Sequence, residues 1–262
     1  MALARVRVRR ERPTALAWAI ALAVTALAVY LLTLPRPEES DSLFASATVT
    51  RQLTFGPIET WCVTLAERDT PESARLAAAG LTDRGAAGCV ARHGNSWQVL
   101  GACFDSEREA GRTAERLRTA EGLEAGVTVL AAGEAVLRLT APEARLDALT
   151  SGDALLRSQH ARLGTLAAQL DRGEVSPEAV RALCAVAAGE AAGVAKALER
   201  HGLASEACAS LAAALRDRAD MLGSGFISDA ALPRATLSGR LRCAQIEGLL
   251  AHIAWLAACS GA

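Results

Sequence analysis

Cysteine has the widest chemical range of any residue type in this chain, because its thiol can bind metals, form disulfides or act as a nucleophile. The 262 residues include seven cysteines, at positions 62, 89, 103, 184, 208, 243 and 259. No two stand at Cys-x-x-Cys spacing, and no metal-ligand pattern joins them to a histidine, so we predict neither a metal site nor a cofactor. Cys62, Cys89 and Cys103 fall in three predicted strands of one sheet, which permits a disulfide among them. Burial as small apolar side chains is the favoured alternative, and the odd number leaves at least one thiol free.

Other residues with catalytic potential are scattered. His160, His201 and His252 lie in three different predicted helices, where surface or cap positions are favoured over a shared metal site. The sequence contains no nucleophile elbow, phosphate-binding glycine loop or carboxylate pair on a defined scaffold, so we predict that the protein is not an enzyme. The first thirteen residues hold five arginines and one glutamate, which leaves a formal charge of -5 on the rest and argues against a nucleic acid partner.

A block from Trp61 to about Ala132 repeats at an offset of 36 residues. Each copy begins with an alternating apolar run typical of a half-buried strand, at Trp61–Ala66 and again at Trp97–Ala102. Each continues with an acid and a hydroxyl that can cap a helix. Alanine and leucine then recur on one helix face, at Ala74, Ala78 and Leu81 and again at Ala110, Ala114 and Leu117. A strand, helix, strand unit used twice predicts a four-stranded sheet with both helices on one face.

The doubled block resembles the SPOR domain, the sporulation-related repeat of bacterial envelope and division proteins. The resemblance covers roughly residues 58–132 and rests on Trp61-Cys62-Val63-Thr64-Leu65-Ala66 and Trp97-Gln98-Val99-Leu100-Gly101-Ala102, each followed by a helix. Thr64 and Ala66 stand where the family has Gln and Gly. The resemblance implies an α+β fold with a ferredoxin-like βαββαβ domain, assigned to residues 58–141. It also implies binding of peptidoglycan, in particular of glycan strands that lack stem peptides.

In the SPOR-like arrangement the glycan lies on the sheet face that the helices leave free. Val63 and Val99 are expected to pack on the helices, so strand alternation gives the free face Thr64, Gln98 and Leu100. Arg92 and Asn95 lie near the turn between the middle strands. These five residues form the predicted ligand-binding set. For Trp61 and Trp97, packing in the core is favoured over contact with a ligand.

Residues 14–34 contain no charged side chain and are long enough for a membrane-spanning helix. The arginine-rich residues 1–13 predict a cytoplasmic N-terminus, with everything after Pro35 outside the cell membrane. A signal peptide cleaved near Ala45-Ser46-Ala47 is the less favoured alternative, because the apolar stretch is too long for one. Residues 35–57, rich in Pro, Glu, Ser and Thr, are predicted to be a linker.

Residues 142–262 have a helical pattern, after an alternating run at Ala135–Thr140 that either extends the sheet or begins the next domain. Leucines every seven residues from Leu149 to Leu170 predict one long amphipathic helix. Three more helices follow, and the apolar tail Ile246–Ala258 is too short for a second membrane span, so we expect it in a core. Short connections predict an all-α, antiparallel bundle.

Two functions are consistent with this organisation. The first is a non-enzymatic envelope protein that binds peptidoglycan through residues 58–141, in division or sporulation. The second is a membrane-anchored interaction scaffold, in which the helical residues bind a protein partner or a second copy of the chain. An exposed apolar stripe on the bundle would favour the second.

Overall fold

The computed structural model describes residues 48–200 and 205–260, which form an α+β protein with two antiparallel sheets. The predicted cytoplasmic segment and membrane helix, residues 1–34, lie outside the described residues, as does most of the predicted linker. The described strands and helices are β1 Thr48–Phe55, β2 Ile58–Arg68, α1 Pro71–Thr82, β3 Cys89–His93, β4 Ser96–Phe104, α2 Glu107–Glu121, β5 Gly126–Ala132, β6 Ala135–Pro142, α3 Glu143–Arg172, α4 Pro177–Arg200, α5 Glu206–Gly223, α6 Gly225–Ser228 and α7 Arg234–Ser260.

The doubled block forms the four-stranded sheet that the repeat predicts, with strand order β3-β4-β2-β5. The capping prediction is confirmed, since the hydroxyls of Thr70 and Ser106 accept hydrogen bonds from Ser73 N and Glu109 N at the starts of α1 and α2. Both helices bury their alanines on one face of this sheet. Val99 packs on Ala74 and Ala78 of α1, and Val63 packs on the alanines of α2.

The two central strands carry an irregularity that simple alternation does not predict. Their pairing shifts register, so that Leu65 of β2 and Gly101 of β4 are each left without a paired residue. The two residues lie against each other, because a Cβ atom on Gly101 would come within 2.7 Å of Leu65 Cδ1. Glycine at this position therefore makes room for a leucine that extends the apolar surface beneath α2.

A second, two-stranded sheet joins β1 to β6 along their whole length, from Thr48 opposite Pro142 to Phe55 opposite Ala135. The prediction that residues 35–57 form a linker is therefore wrong for residues 48–55. The alternating run at Ala135–Thr140 lies in β6 and pairs with β1. The sequence of β1 is rich in Thr, and this composition had indicated a linker. Leu53, Phe55 and Leu137 are buried against the helices, so the ribbon belongs to the core.

The four predicted long helices are confirmed as α3, α4, α5 and α7. The four leucines of α3 at positions 149, 156, 163 and 170 are all buried. The helix runs unbroken through Gly152, whose bare backbone lies against Leu211 of α5. Ser176 caps α4 by accepting from Ala179 N, and Pro177 occupies the first helical position.

The last helix, α7, packs on both the bundle and the four-stranded sheet. By length and composition it could cross a membrane, but Leu237, Leu241, Ile246 and Leu249 are buried in the protein core. The first part of α7 also meets the loop between α1 and β3, where Arg242 donates to Gly85 O. The sheets and the helices of the described residues therefore form one compact unit.

Candidate functional site

The sheet face opposite α1 and α2 is covered by the chain itself. Ile246 of α7 is buried against Cys62, Cys89 and Leu100, and Leu250 packs beside them. The expectation of a free face for a ligand is therefore wrong over the centre of the sheet. The physical reason is that this face is apolar, and the apolar side of α7 removes it from water.

The structure separates the five predicted ligand-binding residues. Leu100 is fully buried under α7, so its prediction is wrong. Arg92 pairs with Trp97, whose side chain packs on the α1 side, so alternation places Arg92 on the helix face of the sheet and not with Thr64 and Gln98. Gln98 and Thr64 are on the predicted face and half-buried, and Asn95 is exposed in the turn after β3. The last three stay predictions, but they do not form a continuous surface with the other two.

The packing role of the two tryptophans is confirmed. Trp61 packs with Val63 and Leu65 beneath α2, and Trp97 packs with Val99 beneath α1. Both rings are half-buried at equivalent positions of the two repeats. Neither lies on the face that α7 covers.

Cysteines surround the contact between α7 and the sheet. Cys62 and Cys103, opposite each other on β2 and β4, form a disulfide with Cα atoms 4.1 Å apart. The thiols of Cys89 and Cys243 lie 3.2 Å apart, and Glu247 Oε1 is 3.3 Å from the Cys89 sulfur. The hydrogen bond that Cys89 donates to Cys243, with burial adding to it, raises the pKa of Cys89. The same bond lowers the pKa of Cys243.

The remaining three cysteines are buried among helices. Burial raises the pKa of Cys184 to about 11 and that of Cys259 to about 11, which keeps both as neutral thiols. Cys208 accompanies Cys259 in the same apolar cluster. These residues fit the interpretation of cysteine as a small buried side chain.

His252 is buried, contrary to the expected surface or cap position. Its Nε2 atom lies 2.8 Å from Asp153 Oδ1, and Asp153 also accepts from Arg157 Nε at 3.0 Å. Burial alone would raise the pKa of Asp153, but the hydrogen bonds from His252 and Arg157 outweigh it and lower the pKa. Arg157 also donates hydrogen bonds to the carbonyl oxygens of Gly56 and Pro57, between β1 and β2. The network joins α3, α7 and the β-ribbon, which is a structural role.

The other histidines lie elsewhere. His160 is half-buried on α3, and burial lowers its pKa. His201 lies outside the described residues. Burial also lowers the pKa of Arg218, to about 10. The Arg218 guanidinium donates a hydrogen bond to Ala244 O and makes no ion pair among the described residues. None of these groups converges with another on a common reactive centre in the described part.

A recess lies beside α2, where α3 and α7 pack next to this helix. Two adjoining cavities of about 370 and 490 Å³ meet at Ala102, Phe104, Thr113 and Arg242. We call them together the α2 groove. Its lining includes the apolar side chains of Val63, Phe104 and Leu117 and the polar side chains of Thr113 and Gln245. A recess lined by both apolar and polar groups suits a ligand of mixed character.

Five arginines line the α2 groove, and three of them are already paired. Arg84 pairs with Glu121, Arg242 with Asp171 and Arg172 with Glu174. The other two, Arg112 and Arg116, are exposed one helical turn apart on α2 and have no ion pair within residues 48–200 and 205–260. Asp105 and Glu109 line the same end as Arg112. The groove therefore offers free hydrogen-bond donors and acceptors side by side.

A second recess, between α3 and α4, is apolar. It has a volume of about 440 Å³ and is lined by Leu163, Leu166 and Ala187 among others. Leu183 and Val186 at its edge are 50% and 61% exposed. These two side chains are the exposed apolar stripe that would favour an interaction scaffold.

Comparison with protein-family models, with curated proteins and with solved structures gives no match to this chain.

Neither the α2 groove nor the Cys89–Cys243 contact follows from local sequence patterns. The repeat pattern predicts where α2 begins, but only the docking of α3 and α7 beside it creates the groove. The unpaired arginines at positions 112 and 116 were a usable signal, since their spacing places both on one face of a helix. Cys89 and Cys243 are 154 residues apart, so no local spacing connects them.

Proposed function

We propose that this chain is a non-enzymatic envelope protein that binds peptidoglycan glycan strands in the α2 groove. In this proposal the N-terminal segment anchors the protein in the cell membrane, and the described residues face the cell wall. The ferredoxin-like, SPOR-type arrangement implied by the sequence supports the proposal through its order of strands and helices. The binding surface moves from the sheet face to the groove beside α2, because α7 occupies the former.

The observation that carries the proposal is that Arg112 and Arg116 line the α2 groove beside apolar side chains and have no ion-pair partner among the described residues. A glycan strand without stem peptides exposes the carboxylate of each lactyl group, together with N-acetyl groups, hydroxyls and apolar ring faces. Guanidinium groups bind carboxylates through charge-assisted hydrogen bonds. Asp105 and Glu109 can accept from sugar hydroxyls, and Phe104 supplies a flat apolar surface. This match predicts a preference for stripped strands, since stem peptides block the lactyl carboxylates by amide linkage.

The test is co-sedimentation of the full chain with purified sacculi, intact or stripped by an amidase, at physiological ionic strength. We expect saturable binding that is stronger to the stripped sacculi. Changing Arg112→Ala together with Arg116→Ala should weaken that binding by about tenfold, which corresponds to about 1.4 kcal/mol. Each exposed arginine contributes less than a buried one, because water screens its charge.

A charge-matched control is available in Arg108→Ala together with Arg138→Ala. Both arginines are exposed and neither lines the α2 groove. This control variant should bind stripped sacculi as the unchanged protein does. Equal losses in the two double variants would mean that net charge, and not the groove, governs binding, and would contradict the proposal.

The second candidate is an interaction scaffold that acts through the helical residues. It is favoured by the exposed side chains of Leu183 and Val186 beside the apolar recess between α3 and α4. The same sedimentation experiment separates the two candidates. A folded chain that binds neither intact nor stripped sacculi would favour the scaffold.

A further inference from the structure

We propose that Cys89 and Cys243 form a second disulfide, which covalently fastens α7 to the four-stranded sheet. Their sulfur atoms already lie 3.2 Å apart, on two elements that are far apart in the sequence. Closing this separation to a bond of about 2.05 Å requires a movement of only about 1 Å. Small changes in the side-chain torsions of the two cysteines supply such a movement.

The surroundings of the pair favour a disulfide over a metal site. The ligand atoms of Cys89, Cys243 and Glu247 lie within 4.8 Å of one another, which is compact enough for an ion. However, two thiolates on a tetrahedral zinc ion, with zinc to sulfur distances of about 2.3 Å, stand about 3.7 Å apart. The observed separation of 3.2 Å is shorter. The group also supplies three ligands, where a structural zinc site uses four.

The neighbouring disulfide between Cys62 and Cys103 also favours a bond between Cys89 and Cys243. Cys62 and Cys103 are already bonded, and both belong to the same buried cluster as Cys89 and Cys243. A disulfide in this cluster implies that the protein matures where thiols are oxidised. Under the same conditions, a pair of thiols in contact becomes oxidised as well.

The chemistry requires an external oxidant, which we take to be a disulfide of the form R–S–S–R. Cys243 is half-exposed and, through its hydrogen bond from Cys89, has a lowered pKa, so it is the attacking thiolate. It attacks one sulfur of the oxidant and releases one R–S⁻. Cys89 then passes its proton to the Glu247 carboxylate and attacks the Cys243 sulfur, which releases the second R–S⁻. Two electrons pass to the oxidant. One R–S⁻ takes up the proton that Cys243 had released to solvent, and the other takes up the proton held by Glu247, which gives two R–SH molecules.

The proposed bond has a structural consequence for the covered face. It joins residues on β3 and α7 that are 154 positions apart, close to where Leu100 is buried against Ile246. Because it closes a long loop, it limits the unfolded chain and stabilises the folded one. It keeps α7 on the sheet independently of whether the α2 groove binds glycan.

The test uses the full chain exported to a bacterial periplasm and purified without reductant. Free thiols are blocked with N-ethylmaleimide in denaturant, and the chain is digested with trypsin and a glutamate-specific protease. Cleavage after Glu247 separates Cys243 from Cys259. We expect one peptide pair linked through Cys89 and Cys243 and another through Cys62 and Cys103. Cys184, Cys208 and Cys259 should carry the blocking group.

Thermal unfolding provides the second measurement. Changing Cys89→Ala together with Cys243→Ala should lower the Tm without reductant by roughly 10 °C, and the difference should disappear in reductant. Cys184→Ser, at a buried cysteine without a sulfur partner in the described part, is the control and should respond to reductant as the unchanged chain does. The proposal is overturned if Cys89 and Cys243 both carry the blocking group while Cys62 and Cys103 are linked. It is also overturned if one zinc ion per chain accompanies two free thiols.

Discussion

Replacing Trp255 by alanine is expected to lower the free energy of unfolding by about 3–5 kcal/mol, the range for removing a large buried aromatic side chain. Trp255 is fully buried, its ring centroid lies 4.7 Å from that of Phe55, and its Nε1 donates to Ala207 O at 3.0 Å. The ring therefore connects α7, the β-ribbon and α5. Its loss leaves a cavity and removes the hydrogen bond to Ala207 O. Denaturant unfolding of the full chain, followed by circular dichroism, measures the change.

A suitable control is Leu76→Ala, because the Leu76 side chain on α1 is 80% exposed. It should change the free energy of unfolding by no more than about 0.5 kcal/mol. A loss below about 1 kcal/mol for Trp255→Ala would show that the β-ribbon, α5 and α7 do not share the core described above.

Replacing Gly239 by alanine is expected to cost more than about 2 kcal/mol, in the range of strongly destabilising single changes. A Cβ atom at this position would lie 2.6 Å from Thr82 O and 2.7 Å from Ala86 O. These are backbone atoms of the last residue of α1 and of the loop that follows it, so they cannot rotate away as a side chain could. Either α7 or the loop must shift, which disturbs the contact that covers the sheet. The same unfolding measurement detects the loss.

Gly193→Ala is the matched control for this prediction. Gly193 is also in a helix, but a Cβ atom there would meet nothing within 4 Å. Alanine should therefore stabilise α4 by about 0.5–1 kcal/mol through helix propensity. If the two variants gained stability equally, α7 would not approach the loop as closely as described.

Local sequence patterns predicted the elements well, because capping and periodicity are properties of neighbouring residues. Thr70 and Ser106 begin their helices as expected, and the leucines from Leu149 to Leu170 are buried on one face of one helix. The pairing of β1 with β6 was not predictable in the same way. Those strands are joined through partners such as Leu53 and Leu137, about eighty positions apart, and β1 has the composition of a linker.

The site was harder to predict than the elements, because it depends on where α7 docks. Alternation correctly placed Thr64, Gln98 and Leu100 on one face, but it could not show that Ile246 would cover that face. A strict two-residue period also does not predict the register shift at Leu65 and Gly101. The same strand pattern is compatible with a free sheet face and with a covered one. Only tertiary packing decides between them.

The most direct test of the proposed recognition of lactyl carboxylates is to change the ligand and leave the protein unchanged. Amidase-stripped sacculi would be divided in two, and the free carboxylates of one half converted to neutral amides by carbodiimide coupling with ammonia. If Arg112 and Arg116 bind carboxylates in the α2 groove, the affinity of the full chain for the amidated half, measured by co-sedimentation, should be about tenfold lower. Equal binding to both halves would contradict that account.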